Sequence, residues 1–213
     1  RRIAILGSTG SIGTQALEVI AESRGVLVPV LLTSGHRVAP IIEQAREFGP
    51  ERIVVIDPDE AHLLEDASTD EISVMTGEES QVDSIAQMDL DLVLNGITGA
   101  AGLRASLATL EAGIDLALAN KESLVTAGVL LRQAAEKSGA RIIPVDSEHG
   151  AISQCTSGSS RDSIQRIILT ASGGPFRGMT RDQLATVTPE EALQHPTWKM
   201  GPRISIDSAT LFN

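Results

Sequence analysis

Two carboxylates that flank a hydroxyl, Asp146-Ser147-Glu148, are the residues of this sequence best suited to bind a metal ion. They follow the apolar run 141–145, which predicts a buried strand, so they leave the end of that strand together. Carboxylate oxygens are the ligands that hard divalent cations prefer. The alternative is a helix start capped by Asp146 or Ser147. Because other reactive residues are predicted at the same edge, we favour a divalent-metal site at Asp146 and Glu148.

A second polar cluster, Asn120-Lys121-Glu122, follows the apolar run 115–119. Lys121 could hold a phosphate or polarise a carbonyl group, and Asn120 could bind a nicotinamide or a ribose. A helix start with Glu122 at the positive end of the helix dipole would explain one acid but not all three residues. We therefore predict that this cluster is functional.

Three glycines spaced three residues apart, Gly7, Gly10 and Gly13, lie between the apolar run 3–6 and a helical pattern over 14–22. A strand-to-helix turn of this kind directs backbone N–H groups and the positive end of a helix dipole outward, and glycine lets a phosphate approach closely. An ordinary tight turn that binds nothing is the alternative. The position after the first strand and before a helix favours a nucleotide site.

The end of the second predicted strand indicates which nucleotide is bound. A cofactor with a free ribose 2′-hydroxyl usually meets Asp or Glu there, whereas a 2′-phosphate needs a cation. The sequence has Gly35, His36 and Arg37 at this point and no acid. It therefore favours NADP over NAD, although Arg37 could instead be an exposed residue of the next helix.

Apolar runs of strand length and segments with helical spacing alternate along most of the chain. The predicted strands cover 3–6, 26–33, 53–56, 72–75, 90–97, 115–119, 141–145 and 164–169. The helical patterns cover 14–22, 38–48, 59–67, 101–112 and 122–137. Continuous apolar strands separated by helices predict an α/β fold with a Rossmann-like, doubly wound parallel sheet. In such a sheet, ligands collect at the carboxyl ends of the strands, where the polar clusters lie.

Composition excludes several classes of protein. A net charge of −11 and an aromatic content of 2% argue against nucleic-acid binding, which needs clustered cations or stacking rings. No apolar run approaches the roughly 18 residues of a membrane span. The single cysteine, Cys155, excludes an internal disulfide. We expect a cytoplasmic protein that binds neither nucleic acid nor membrane.

The composition of the sequence changes after Thr156, and we place a domain boundary near residues 146–150. The segment 173–203 carries little strand character and is predicted to be a mobile lid. It contains His195 and Trp198, and a large ring on a loop is suited to exclude water from a site.

Six motifs, in order along the whole chain, closely resemble those of the 1-deoxy-D-xylulose 5-phosphate reductoisomerase family. They are Gly7-Ser-Thr-Gly-Ser-Ile-Gly13, Leu118-Ala-Asn-Lys-Glu-Ser-Leu124, Pro144-Val-Asp-Ser-Glu-His149, Ser172-Gly-Gly-Pro-Phe176, His195-Pro-Thr-Trp198 and Ile206-Asp-Ser-Ala-Thr210. The resemblance implies an NADPH-binding Rossmann-like domain over residues 1–147. It further implies the first, truncated part of an α+β catalytic domain over 148–213, including the flexible lid 173–203.

The resemblance also implies an oxidoreductase that acts in isoprenoid precursor synthesis by the methylerythritol phosphate route. With NADPH and Mg²⁺ or Mn²⁺, such an enzyme rearranges 1-deoxy-D-xylulose 5-phosphate and reduces the product to 2-C-methyl-D-erythritol 4-phosphate. The metal would act as a Lewis acid during the rearrangement, and the nicotinamide would then donate hydride. A homodimer is implied as well.

Individual roles follow from the same resemblance. The residues implied in cofactor binding are Thr9, Gly10, Ser11, Ile12, Gly35, His36, Arg37, Asn120, Glu122 and Gly201. Those implied in binding the phosphorylated sugar are Lys121, Ser147, Glu148, Ser172, His195, Trp198, Ser208 and Asn213. The implied metal ligands are Asp146 and Glu148, and the implied catalytic residues are Lys121, Asp146, Glu148 and His195.

Two other functions compete with this interpretation. An NADP-linked semialdehyde dehydrogenase would use Cys155 as its nucleophile. A non-catalytic NADP-binding regulator would need the glycine turn but neither Asp146 nor Glu148.

The resemblance also leads to an expectation about the 213-residue chain itself. In the family, the run after Asn213 continues with a lysine for the phosphate and a glutamate for the metal. We therefore expect this chain to bind the cofactor without normal turnover and to bind metal weakly.

Overall fold

The computed structural model describes residues 1–57, 59, 72–170, 173–198 and 201–208. The chain divides into two compact units, Arg1–Asp146 and Ser147–Asn213, called unit 1 and unit 2 below. This division lies one residue before the boundary expected between residues 147 and 148.

A parallel sheet forms the centre of unit 1. Its seven strands within the described residues are β1 (Arg2–Leu6), β2 (Val28–Ser34), β3 (Arg52–Val55), β4 (Ser73–Thr76), β5 (Leu92–Asn95), β6 (Asp115–Leu118) and β7 (Ile142–Pro144). All neighbouring strands are parallel, in the order β4-β3-β2-β1-β5-β6-β7. The predicted doubly wound parallel sheet is therefore confirmed. The chain order reverses between β1 and β5, which is where open parallel sheets bind their ligands.

Five α-helices of unit 1 lie within the described residues. They are α1 (Ser11–Glu22), α2 (Val38–Phe48), α3 (Glu78–Gln87), α4 (Leu103–Glu111) and α5 (Lys121–Ser138). The helical pattern expected over 59–67 falls almost wholly outside the described residues. Helix α3 was not among the main predicted helices, because its buried face includes the polar residues Gln81 and Ser84 beside Ile85.

The core of unit 1 has two parts, one on each face of the sheet. Successive residues of a strand point to opposite faces, so Ile5 packs in one cluster with Ile41 of α2. Leu6, the next residue, packs in the other cluster with Leu131 of α5. Helices thus cover both faces, which explains why the strands read as continuous apolar runs.

Unit 2 contains four α-helices within the described residues and little buried surface. They are α6 (Ser147–Thr156), α7 (Arg181–Leu184), α8 (Pro189–Ala192) and α9 (Pro202–Asp207). Helix α6, which is described in full, buries none of its residues. Helices α7 and α8 each begin with a capping box, at Thr180–Gln183 and Thr188–Glu191. The segment 173–198 therefore has helical turns rather than strands, and its mobility stays a prediction.

The strand predicted over 164–169 is wrong. No strand is assigned there, and Ile167, Ile168 and Leu169 are all about 60% exposed, at 58%, 68% and 60%. A run of β-branched and apolar residues favours an extended chain, but a strand also needs a backbone partner. Among the described residues, no segment pairs with this one.

In the described part of the chain, none of the helices combines the length and the apolar character that crossing a bilayer requires.

Candidate functional site

The glycine turn between β1 and α1 is tightly packed against the helix that follows it. Gly7 has a φ of +76°, and its carbonyl accepts a hydrogen bond from the Gly10 N–H at 3.0 Å. A Cβ atom placed on Gly13 would lie 2.4 Å from the Gly7 carbonyl oxygen and 2.4 Å from the Ser8 Cα. Glycine is therefore required at position 13 for the helix to start so close to the turn.

The first turn of α1 supplies hydrogen-bond donors for an anion. Gly10 is the N-cap residue and has no side chain that could cap the helix. Ser11, Ile12 and Gly13 follow it, and the backbone N–H groups of a first helical turn have no partner inside the helix. The first turn also contains no acidic residue. The positive end of the helix dipole and these N–H groups together suit a phosphate.

A cation from the end of β2 lies against the same turn. Gly35, His36 and Arg37 are exposed directly after β2. The Arg37 Nη1 donates to the Thr9 carbonyl oxygen at 2.8 Å, and the Arg37 N–H donates to the Ser34 Oγ at 3.2 Å. A Cβ atom on Gly35 would meet no described atom within 4 Å, so open space adjoins this cation. The glycine turn, the uncapped helix start and the guanidinium therefore fit a dinucleotide with a 2′-phosphate.

The loop after β5 lies next to the turn and is held by the start of α5. A Cβ atom on Gly7 would be 3.3 Å from the Gly96 backbone. Buried Asn120 donates through Nδ2 to the carbonyl oxygens of Ile97 and Gly99. The Gly99 N–H donates to the Glu122 Oε1 at 2.9 Å. Asn120 and Glu122 therefore fix the loop 97–99, a role that the sequence did not indicate.

Asn120 is also the N-cap of α5, because its Oδ1 accepts the Ser123 N–H at 2.8 Å. Asparagine three residues before serine, at a strand-to-helix junction, is a signal that could have predicted this cap. Both ends of the Asn120 amide are thus bonded within the protein. A direct contact of Asn120 or Glu122 with a cofactor stays a prediction.

Asn95 is a supporting residue of this edge that the predicted site did not include. It is buried, and its Nδ2 donates to the Gly102 carbonyl oxygen and to the Ser106 Oγ, both at 2.8 Å. Its Oδ1 accepts the Ile97 N–H at 3.0 Å. A Cβ atom on Gly102 would lie 2.8 Å from the Asn120 Nδ2, so the loop leaves no room for a side chain there.

Lys121 and Asp146 form an ion pair in unit 1. The Lys121 Nζ is 2.9 Å from the Asp146 Oδ2, and the two side chains are only 16% and 14% exposed. The structure thus brings together two predicted catalytic residues that are distant in sequence. Carboxylate oxygens are ligands of hard divalent cations, and a metal at Asp146 would share this carboxylate with the Lys121 ammonium.

Within the described residues, no group of three or more His, Cys, Asp or Glu side chains forms a complete metal site. Asp146 is the last residue of unit 1, and Glu148 is the second residue of unit 2. Glu148 lies in the first turn of α6, where its Oε2 accepts a 2.7 Å hydrogen bond from the Ser147 Oγ. The donor chemistry of these carboxylates suits Mg²⁺ or Mn²⁺.

Two predicted substrate residues of unit 2 are in contact. The rings of His195 and Trp198 stack with centroids 5.1 Å apart and an interplanar angle of 11°. The His195 Nδ1 accepts the N–H groups of Thr197 and Trp198, at 3.2 and 3.0 Å. Because Nδ1 acts as the acceptor, the proton of a neutral His195 lies on Nε2.

The remaining predicted residues of unit 2 lie around α9 or outside the described chain. Gly201 is the N-cap of α9, and Ser208 follows the helix and donates through Oγ to the Ser205 carbonyl oxygen at 2.8 Å. Ser172 and Asn213 lie outside the described residues. Cys155 is an exposed free cysteine on α6, and no described hydrogen bond joins it to a base that could activate it.

Two ion pairs that shift pKa values lie at the opposite, amino edge of the sheet. The side-chain hydrogen bond from Arg2 lowers the pKa of Glu51 below its ordinary value of 4.5. The side-chain hydrogen bond from Arg141 lowers the pKa of Asp115 below its ordinary value of 3.8. These pairs stabilise strand ends and are separate from the candidate site.

The strand order, the glycine turn after β1 and the polar residues at the carboxyl edge define a Rossmann-like α/β protein. Sequence models of the 1-deoxy-D-xylulose 5-phosphate reductoisomerase family match residues 3–128, and that family's C-terminal domain model matches residues 142–213. The chain belongs to this family.

Curated relatives agree with this assignment. The 1-deoxy-D-xylulose 5-phosphate reductoisomerase of Thermoanaerobacter sp. (strain X514) is 46% identical over 213 residues, which are 100% of this chain and 56% of the relative. That of Rhodococcus jostii (strain RHA1) is 47% identical and is matched over 52% of its length. The chain therefore spans about half the length of the curated relatives it matches.

Solved structures are similar over nearly the whole chain. A crystal structure of DOX-P reductoisomerase in complex with NADPH, fosmidomycin and magnesium has a TM-score of 0.89 at 39% identity, covering 98% of this chain and 54% of that one. The 1-deoxy-D-xylulose 5-phosphate reductoisomerase from Zymomonas mobilis in complex with NADPH has a TM-score of 0.87 at 41% identity, with the same coverage.

Proposed function

We propose that this chain carries the NADPH-binding domain and part of the catalytic domain of an enzyme that converts 1-deoxy-D-xylulose 5-phosphate to 2-C-methyl-D-erythritol 4-phosphate. The observation that carries the proposal is the contact of Arg37 with Thr9 beside the uncapped start of α1. It supports a phosphate site at this turn, because a cation lies beside the start of a helix at the switch point of the sheet. The relatives named above support the substrate and the reaction.

In this proposal, the backbone of Thr9, Gly10, Ser11 and Ile12 binds the diphosphate of NADPH. The end of β2, at Gly35, His36 and Arg37, binds the adenosine 2′-phosphate, because a guanidinium pairs well with a phosphate. The loop held by Asn120 and Glu122, together with Gly201, contacts the remainder of the cofactor. When bound, NADPH supplies the hydride for the reduction.

The metal site of the proposal uses the carboxylates of Asp146 and Glu148, which are separated by one residue in the chain. When bound, Mg²⁺ or Mn²⁺ supplies a Lewis acid for oxygens of the substrate. Lys121 neutralises Asp146 in this structure and is proposed to bind the substrate during the reaction. With two carboxylates, we expect weak metal binding by the 213-residue chain.

The residues of unit 2 are proposed to bind and cover the phosphorylated sugar. They are Ser147, Glu148, Ser172, His195, Trp198, Ser208 and Asn213, of which His195 also has a catalytic role. The stacked rings of His195 and Trp198 favour a cover that excludes water. We further propose that residues 173–203 act as a lid, that the protein is cytoplasmic, and that it forms a homodimer.

The activity is tested with a full-length form of the protein, NADPH, Mg²⁺ and 1-deoxy-D-xylulose 5-phosphate. We expect the nicotinamide absorbance to fall only when metal and sugar phosphate are both present. Asp146→Asn should slow this loss by about a hundredfold or more, because a metal contributes several kcal/mol to such a step. Cys155→Ser is the matched control and should leave the rate unchanged.

Other results would select the competing functions. Oxidation that needs no metal and stops in Cys155→Ser would favour a semialdehyde dehydrogenase. Binding of NADPH with no oxidation under any of these conditions would favour a regulator.

A further inference from the structure

The two residues between Gly7 and Gly10 are held by neighbouring elements rather than by the turn itself. Ser8 and Thr9 are buried, with exposures of 0% and 7%. The Ser8 N–H donates to the Thr33 carbonyl oxygen of β2 at 2.8 Å. The Thr9 Oγ1 shares a hydrogen bond with the Ser34 Oγ at 3.0 Å. The position of the turn therefore depends on residues outside it.

Gln44 of α2 contacts Ser8 at two points. The Ser8 Oγ donates to the Gln44 Oε1 at 2.7 Å, and the Gln44 Nε2 donates to the Ser8 carbonyl oxygen at 3.0 Å. The Ser8 hydroxyl has one proton, and its contact with the Thr33 carbonyl oxygen is longer, at 3.2 Å. The Ser8 carbonyl oxygen can only accept, so it faces the Gln44 Nε2, and the Oε1 end of the amide faces the hydroxyl. Both ends of the amide are thus used, and glutamate could not replace its N–H donor.

The hydrogen bond to the Ser8 carbonyl fixes the direction of the next N–H group. No cis peptide bond occurs within the described residues, so the Ser8 carbonyl and the Thr9 N–H point in opposite directions across one planar unit. When Gln44 holds the carbonyl, the Thr9 N–H points away from α2. Among the described residues, no acceptor is bonded to this N–H. Arg37 fixes the following peptide in the same way, through the Thr9 carbonyl oxygen.

A second glutamine reaches the turn through Thr33. Gln81 of α3 is 1% exposed, and its Oε1 accepts the Thr33 hydroxyl at 2.9 Å. The same hydroxyl oxygen accepts the Gly7 N–H at 3.2 Å. Gln81 thus orients the hydroxyl that holds the first residue of the turn, whereas Gln44 acts on the turn directly.

We propose that Gln44 is a positioning residue for the diphosphate of the dinucleotide, an inference that rests on the proposed function. It acts through Ser8 by holding the peptide whose N–H group points toward the anion. Removing its amide leaves the glycines and α1 in place but lets this peptide rotate. Affinity for ligands that carry the diphosphate then falls, while contacts at the adenosine 2′-phosphate remain.

The test measures dissociation constants of the 213-residue chain by calorimetry. Gln44→Met should raise the Kd for NADPH about tenfold, since the loss of such a hydrogen bond costs about 1 kcal/mol or somewhat more. Gln44→Glu should raise the Kd further, because it also places a negative charge at the turn. The matched control is Gln15→Met, which changes an exposed glutamine of α1, and it should leave the Kd unchanged.

A second ligand distinguishes a loss of positioning at the turn from a general loss of structure. Adenosine 2′-monophosphate carries the 2′-phosphate but no diphosphate, so Gln44→Met should leave its Kd unchanged. An equal rise in both dissociation constants, or no rise in either, would overturn the inference. If Gln44→Met does not fold, Ser8→Ala removes the contacts of the hydroxyl with Gln44 and Thr33 but keeps the hydrogen bond from Gln44 to the Ser8 carbonyl oxygen. It should raise the Kd for NADPH about threefold with the same ligand pattern.

The wild-type chain distinguishes this inference from the proposed function. If wild type binds NADPH and Gln44→Met binds it equally well, only the role of Gln44 is refuted. If wild type does not bind NADPH, the proposed function fails, and the role of Gln44 fails with it.

Discussion

Units 1 and 2 use apolar residues in different ways. In unit 1, Leu116 of β6 lies between two parallel strands and under helices, and its side chain has no exposure. In unit 2, Leu169 belongs to an equally apolar run but is 60% exposed. An apolar pattern therefore predicts an extended segment, but burial follows only where neighbouring strands and helices are available.

The largest expected effect concerns the glycine turn of unit 1. Gly13→Ala would place a Cβ atom 2.4 Å from backbone atoms of Gly7 and Ser8, which cannot move without opening the turn. We expect a loss of at least about 3 kcal/mol in the free energy of unfolding and no measurable NADPH binding. Denaturant unfolding and calorimetry check both values.

Gly128→Ala is the matched control for this change. A Cβ atom at Gly128 of α5 would meet only the Leu124 Cδ2 at 3.9 Å among the described atoms. We expect unchanged NADPH binding and a stability equal to or about 0.5–1 kcal/mol above wild type, as is usual for alanine in place of a helical glycine. Equal damage from both variants would refute the packing argument.

Paired leucine substitutions test the comparison of the units directly. Leu116→Ala should lower the free energy of unfolding by about 2–5 kcal/mol, because it leaves a cavity in a closed core. Leu169→Ala should lower it by less than about 0.5 kcal/mol, because its side chain is mostly exposed. Denaturant unfolding of the 213-residue chain measures both. Similar losses would show that residues 164–169 are buried in solution.

Paired capping substitutions should show a smaller difference of the same kind. Asn120→Ala removes the cap of α5 and two hydrogen bonds to the loop 97–99, so we expect a loss of about 1–3 kcal/mol. Thr188→Ala removes the cap of α8, a four-residue exposed helix, and should cost less than about 0.5 kcal/mol. Thermal unfolding compares the two, and an equal loss would contradict the structural role of Asn120.

The smallest expected effect is on the acid side of the stability profile of unit 1. The pKa values of Glu51 and Asp115 are lowered in the folded protein, so each carboxylate stabilises the fold above its ordinary pKa. This stabilisation begins to fall near the ordinary values of 4.5 and 3.8 and is lost as the pH drops through the lowered values. Both pairs are partly exposed, so the change should be small.

Glu51→Gln provides the test of this pH dependence. The free energy of unfolding of the variant should decline less steeply than that of wild type as the pH falls from about 5 to about 3. Parallel declines would show that the ion pair with Arg2 does not contribute.

The sequence was sufficient to predict the sheet of unit 1, because each strand is a local apolar run between helices. Helix α3 was harder to predict, since Gln81 and Ser84 take up buried positions that the pattern assigns to apolar residues. The predicted strand 164–169 failed because pairing is not a local property.

The candidate site was predictable only in part. The edge of the sheet gave a reason to group Lys121 with Asp146, and they are in contact. The sequence could not show that Asn120 and Glu122 hold the loop 97–99, or that Gln44 holds Ser8, because those partners are distant in the chain. The roles proposed for residues of unit 2 depend on the family resemblance rather than on buried geometry.

A comparison of NADPH and NADH binding tests the central claim most directly, because the two cofactors differ only in the 2′-phosphate that Arg37 is proposed to bind. Titration of the 213-residue chain should give a Kd for NADPH at least about tenfold lower than that for NADH. Arg37→Gln should remove most of this difference and weaken NADH binding much less. Equal affinity of the wild-type chain for the two cofactors, or no binding of either, would contradict the account.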